Sequence, residues 1–224
     1  MRQLILLVHT IAVATAQTIM VTPFGDSSYR LQISPETPLK PPNNITQHLP
    51  GALIGKGSGP SYPISLTDSL TNQNLRVVRT SSNIIQFFNV KSQQLLFEID
   101  SIQFVPSTAV PGLSATTLTT SRHDDSGSTE QIYGLGQGNW SLHNGGKGGG
   151  CASGTNTEHV VPLLRNGQVV NLLQRKFHIS IPFIYSSAGY GLLFNHGGMG
   201  DVEIAKSGAQ QWTQTAALNI DLWV

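Results

Sequence analysis

Residues 177–195 read FHISIPFIYSSAGYGLLFN, in which apolar runs at 177–185 and 189–194 flank a short serine- and glycine-bearing turn. Pro182 holds the residue before it in the extended region and cannot donate to a ladder, so it suits an edge strand or a bulge. Gly189 and Gly191 flank Tyr190, where a positive φ costs a glycine little. The stretch therefore predicts a hairpin of two strands, and it sets the class for what surrounds it.

Upstream, the run YGLGQ at 133–137 places Gly134 and Gly136 where a strand end turns tightly and another backbone approaches. Strand signals recur along the chain: 29–33 and 95–104 alternate, and 75–80 and 83–90 are rich in β-branched and aromatic residues. The polar residues 91–94 predict a hairpin loop, and Asn166-Gly167 between apolar runs predicts a type I′ turn. Further short strands are expected at 160–164, 168–173, 201–204 and 216–224. No window sustains a capped helical period, and no period of roughly 20 to 50 residues repeats. Prolines and glycines crowd 40–67, which predicts loop with short edge strands, and 138–157 is too rich in glycine and small polar residues to build a core. The expected fold is all-β, an antiparallel β-sandwich.

The 224 residues suit one β-rich domain, expected over 17–224. The preceding residues 1–16 predict a signal peptide: Arg2, an apolar run at 4–13, and Ala14-Thr15-Ala16 as a small-residue cleavage site. That apolar run is short of the roughly 20 residues of a membrane span. Two sequons, at Asn44 and Asn139, fit the secretory or extracellular route the leader implies and are the expected glycosylation sites. Only 11% of residues are charged and the net charge is +1, so neither nucleic acid nor an anionic membrane surface is an expected partner. One cysteine, Cys151, excludes an intrachain disulfide and multi-cysteine zinc sites. Histidines 48, 123, 143, 159, 178 and 196 show no metal-binding spacing, so no metal and no cofactor are expected.

Carboxylates offer little chemistry. Asp124 and Asp125 read as a solvated turn, and Glu98 and Asp100 as the wet side of a strand. Trp140, Trp212 and Trp223 read as core or interdomain packing. YGLGQG lacks the lysine and the helix of a phosphate loop. No catalytic residue is assigned.

The order YGLGQ, a variable loop, LLRNGQVVNLLQRKFHISIPF and SSAGYGLLFN resembles the N-terminal sandwich of glycoside hydrolase family 31, the α-glucosidases and α-xylosidases. Residues 21–31, VTPFGDSSYRL, resemble the family's opening strand. The resemblance implies a galactose mutarotase-like supersandwich, a carbohydrate substrate, and a downstream (β/α)8 barrel that carries the catalytic carboxylates beyond Val224. In the family, a loop before the IPF strand lines the sugar pocket, often with an Arg-Asp pair. Here the corresponding residues include Gln174 and Arg175 but no aspartate, and these two are the expected substrate contacts. Two other readings remain open: a free-standing lectin-like domain and a mutarotase-like sugar epimerase.

Overall fold

The computed structural model describes residues 17–35, 59–122, 130–136, 164–173, 180–195 and 199–224. These residues form fifteen strands and no helix. Residues 1–16, expected to be a signal peptide, lie outside the described residues, as do both sequons, Cys151, Trp140, the histidines, Asp124-Asp125, Gln174 and Arg175.

One sheet contains β1 (Thr18–Phe24), β2 (Ser28–Ser34), β3 (Tyr62–Pro63), β9 (Ile132–Gly134), β11 (Phe183–Ser186), β12 (Gly191–Phe194) and β15 (Ile220–Trp223). Its order is β3-β1-β2-β15-β12-β11-β9. The other contains β4 (Ser69–Thr71), β5 (Leu75–Arg79), β6 (Ile85–Asn89), β7 (Leu95–Pro106), β8 (Ser114–Ser121), β10 (Gln168–Asn171), β13 (Gly200–Ile204) and β14 (Gln210–Ala217). Its order is β10-β13-β14-β8-β7-β6-β5-β4. Every pairing is antiparallel. The expected sandwich is thus observed.

Alternation explains how the two sheets share one core. Ile19 and Val21, Leu31 and Ile33, and Leu192 and Phe194 are buried from the first sheet; Val77, Phe87, Leu118, Val202 and Trp212 are buried from the second. Phe194 of one sheet stacks on Trp212 of the other at 5.2 Å, and Phe97 stacks on Tyr190 at 4.5 Å. These contacts clamp the layers face to face. Tyr190 also lends its phenol to an interior polar chain: Gln210 Nε2 donates to it at 3.2 Å, and Trp212 Nε1 donates to Gln210 Oε1 at 3.1 Å. Burial and the nearby Glu130 push the Tyr190 phenol well above its ordinary range. Burial alone pushes Tyr29 up to about 12.

The hairpin that decided the class is present, in register Phe183↔Leu193. Phe194 N donates to the Pro182 carbonyl at 2.8 Å, which sets the Pro182 and Tyr190 segments side by side. Gly189 takes φ +88°, whereas Gly191 needs no positive φ and instead leaves room for the Phe183 ring, only 3.1 Å from where a Cβ would sit.

Several expectations are corrected. Residues 21–31 do not make one strand: Gly25, at φ +59°, turns the chain so that β1 and β2 form a hairpin. Residues 216–224 break between β14 and β15, which lie in different sheets. Asn166-Gly167 makes a turn with Gln168 N donating to the Arg165 carbonyl at 3.1 Å, but only Gly167 has positive φ, so it is not type I′. Nor does it join paired strands: Leu164 bridges to Tyr133, while β10 pairs with β13. The Asn166 side chain explains the difference, since it accepts from Ile132 N at 2.9 Å and donates to the Glu130 carbonyl at 2.6 Å, strapping the turn across the sandwich. Glu98, read as the wet side of a strand, is buried and accepts from Gln86 Nε2 at 3.0 Å; a bulge between Ile99 and Ser101 interrupts the alternation at Asp100.

Candidate functional site

The described residues nearest in sequence to Gln174 and Arg175 are the last of β10 and the two that follow it. Asn171 ends the strand with an Asx turn, its Oδ1 accepting from Leu173 N at 2.9 Å. Its Nδ2 donates to Asp201 Oδ1 at 2.8 Å, across the pair Asn171↔Asp201. The chain thus leaves the sheet toward residue 174 along a direction fixed from the neighbouring strand.

Beside this exit lies a shallow recess of about 450 Å³ on the outer face of the eight-stranded sheet. Val169 and Asn171 of β10, Asp201 and Glu203 of β13, and Gln211 and Thr213 of β14 line it. The pairings Asn171↔Asp201↔Thr213 and Val169↔Glu203↔Gln211 set these residues in two rows. Hydroxyl, amide and carboxylate groups dominate, and no cationic side chain is among them. Sequence reading missed this site, because its residues come from three strands and each alone looks like an ordinary solvated position.

A second structured corner supports the glycine motif. Gly134, Leu135 and Gly136 have φ of +113°, +65° and +74°. Arg165 fastens this turn at two points: its Nε donates to the Gly134 carbonyl and its Nη2 to the Gly136 carbonyl, each at 2.8 Å. Arg165 is 2% exposed, and burial lowers its guanidinium to about 10. Arg165, next to the Asn166-Gly167 turn, is therefore the anchor of the 134–136 turn.

The outer face of the seven-stranded sheet differs in character. Ile181, Phe183 and Tyr185 are each at least two-fifths exposed at 47%, 40% and 41%, and Tyr133 stacks on Tyr185 at 5.2 Å. The row continues through Leu193 to Trp223, which packs on Phe24 at 4.4 Å. A monomer rarely leaves so continuous an apolar band open. Trp212 is core, and Trp223 belongs to this outer band.

No protein-family model matches the chain. Among curated proteins, it is 35% identical over 95 residues to an α-xylosidase of Saccharolobus solfataricus, covering 42% of this chain and 11% of that protein. It is 40% identical over 58 residues to an uncharacterized family 31 glucosidase of Pseudescherichia vulneris, covering 26% of this chain and 11% of that protein. Among solved structures, a GH31 α-xylosidase from a soil metagenome superposes with a TM-score of 0.66 at 20% identity, over 94% of this chain and 30% of that one. A Flavobacterium johnsoniae GH31 dextranase gives 0.59 at 17% identity, over 94% and 24%. The structural likeness speaks for the fold, and the sequence matches carry the relationship. The chain is related to family 31 glycoside hydrolases as a partial domain. It spans about a tenth of the length of the curated relatives it matches.

Proposed function

We propose that this chain is the N-terminal sandwich of an α-glycosidase, lining the sugar pocket and supporting a catalytic barrel that carries the reacting carboxylates. The observation that carries this reading is the 35% identity over 95 residues to an α-xylosidase, joined to the sandwich architecture. A retaining glycosidase needs two carboxyl groups about 5 to 5.5 Å apart on either side of the scissile bond, and the barrel is where such a pair would reside. Gln174 and Arg175 contact the substrate in this reading, Gln174 bonding vicinal hydroxyls and Arg175 ordering it. The fixed exit at Asn171 supports that role, since it aims the chain entering this loop. The band from Tyr133 to Trp223 supports the barrel as partner, because an apolar sheet face needs a cover. The leader and the sequons at Asn44 and Asn139 extend the proposal to a secreted glycoprotein.

The test is an assay of the native protein that contains this sequence against aryl α-xylosides and α-glucosides. Hydrolysis is expected, with deletion of the region corresponding to residues 17–224 removing it. A native protein that folds and hydrolyses neither substrate refutes the reading.

A further inference from the structure

We infer that the recess on the outer face of β10, β13 and β14 is itself a binding site for a neutral, hydroxyl-rich ligand, a short saccharide chain laid across the strands. The chemistry of the lining selects this class. Asp201 and Glu203 offer carboxylate acceptors and Gln211 offers an amide that both donates and accepts, while Asn171 and Thr213 hold Asp201 in place. Vicinal sugar hydroxyls, each a donor and an acceptor, are matched by such planar groups. A phosphate or nucleic acid is disfavoured, since the described residues that line it include two carboxylates and no cation. A lipid is disfavoured because Val169 is the recess's one aliphatic side chain.

Asn171 and Thr213 are engaged in holding Asp201, so the groups left for a ligand are the rest of the Asp201 carboxylate, Glu203 and Gln211. Asp201 uses Oδ1 to hold Asn171, and its backbone N–H and carbonyl both engage Thr213 Oγ1, at 3.1 and 3.3 Å. Glu203 and Gln211 are exposed and directly opposite each other, and among the described residues neither side chain has a hydrogen-bond partner. The volume of about 450 Å³ falls within the roughly 300 to 1,000 Å³ of small-ligand pockets.

The polar rows continue past the recess. The register carries Thr213 on to Thr117 and Gln103, and Gln211 on to Thr119 and Ser101. Neighbouring strands lie about 4.8 Å apart, so the row from Asn171 to Gln103 presents a hydrogen-bonding group at each step over five strands, and the row from Glu203 to Ser101 does so over four, with Ser101 and Thr119 bonded to each other at 2.6 Å. An extended saccharide meets such a track lengthwise. Val169, 49% exposed, gives one sugar face an aliphatic contact at the edge strand.

This inference shares the saccharide chemistry of the proposed function but is tested without catalysis. The full chain would be titrated with maltotriose, isomaltotriose and xylotriose by NMR, following the side-chain amide signals of Asn171 and Gln211. Saturable shifts of those signals at millimolar ligand are expected with at least one of the three. Glu203→Ala and Gln211→Ala, both at exposed positions, should weaken binding at least fivefold while leaving the melting temperature unchanged. Inositol hexakisphosphate, as a polyanion probe, should shift neither amide. Absence of saturable shifts with all three sugars overturns the inference, as does unchanged affinity in both variants. Because no hydrolysis is read, this failure is distinguishable from a failure of the glycosidase assay.

Discussion

Replacing Asp221 by alanine is expected to destabilise the chain by about 3 to 5 kcal/mol, a loss on the order of 10 °C in melting temperature. Asp221 and Arg30 lie on adjacent strands β15 and β2, on the outward side of the seven-stranded sheet, yet both are buried, at 7% and 8% exposed. Their contact is bidentate: Arg30 Nε donates to Oδ1 at 2.9 Å and Nη2 to Oδ2 at 2.6 Å. Asn195 Nδ2 adds a third bond to Oδ2 at 2.9 Å, so one carboxylate ties β2, β15 and the end of β12 together. The Arg30 guanidinium further lies 5.4 Å from the Trp223 ring centroid, which shields the pair from water. Removing the carboxylate takes both fork bonds from a buried cation, and that desolvated charge, more than the attraction itself, sets the size of the effect. Thermal unfolding followed by circular dichroism measures it. Arg30→Met combined with Asp221→Leu should recover most of the loss, because a buried pair replaced whole by apolar groups costs little. A single Asp221→Ala variant that melts within 2 °C of the parent would show that the pair does not hold these strands.

Gly134→Ala should cost about 2 to 5 kcal/mol, from backbone strain together with overpacking. At φ +113° an L side chain is disfavoured whatever the space around it. Space is lacking as well: a Cβ would come 2.4 Å from the Phe183 carbonyl oxygen and 3.0 Å from Ile184 Cα. These are backbone atoms of the partner strand β11, so relief requires β9 and β11 to separate. That separation would strain the bond from Leu135 N to the Phe183 carbonyl, 2.8 Å, and pull the Gly134 carbonyl from Arg165 Nε. Gly189→Ala is the matched control, since its φ of +88° imposes the strain while nothing lies within 4 Å of its Cβ. It should lose only about 1 to 2 kcal/mol. Equal melting temperatures for the two variants would remove the argument from close approach.

The fold was legible where burial follows hydrophobicity. β5, β6, β11 and β12 carry Val, Ile, Leu and Phe at most of their inward positions, and the density of β-branched, aromatic and other apolar residues found all four. It did not find β8 or most of β14. Their inward positions include Thr116, Thr120, Gln210 and Gln214, polar residues that the register places in facing pairs, with Thr116 Oγ1 donating to Gln214 Oε1 at 2.7 Å. A buried polar group costs little once it has a partner, and the partner is nearly a hundred residues away in sequence. The same non-locality hid Asn166: its dipeptide with Gly167 is a hairpin signal by propensity, but bonds to residues 130 and 132 set its conformation. For the site, sequence resemblance pointed to Gln174 and Arg175, outside the described residues. The recess at the end of β10 became visible only when three strands were brought into register.

In the proposed division of labour, this chain shapes and supports a sugar pocket while a catalytic barrel breaks the bond. The direct measurement is release of nitrophenol from aryl α-xylosides and α-glucosides by the purified chain of 224 residues alone. No release above the rate of the buffer is predicted. Sustained turnover that survives repurification and is abolished by Asp201→Asn or Glu203→Gln would place a working carboxylate pair within this sandwich and contradict the account.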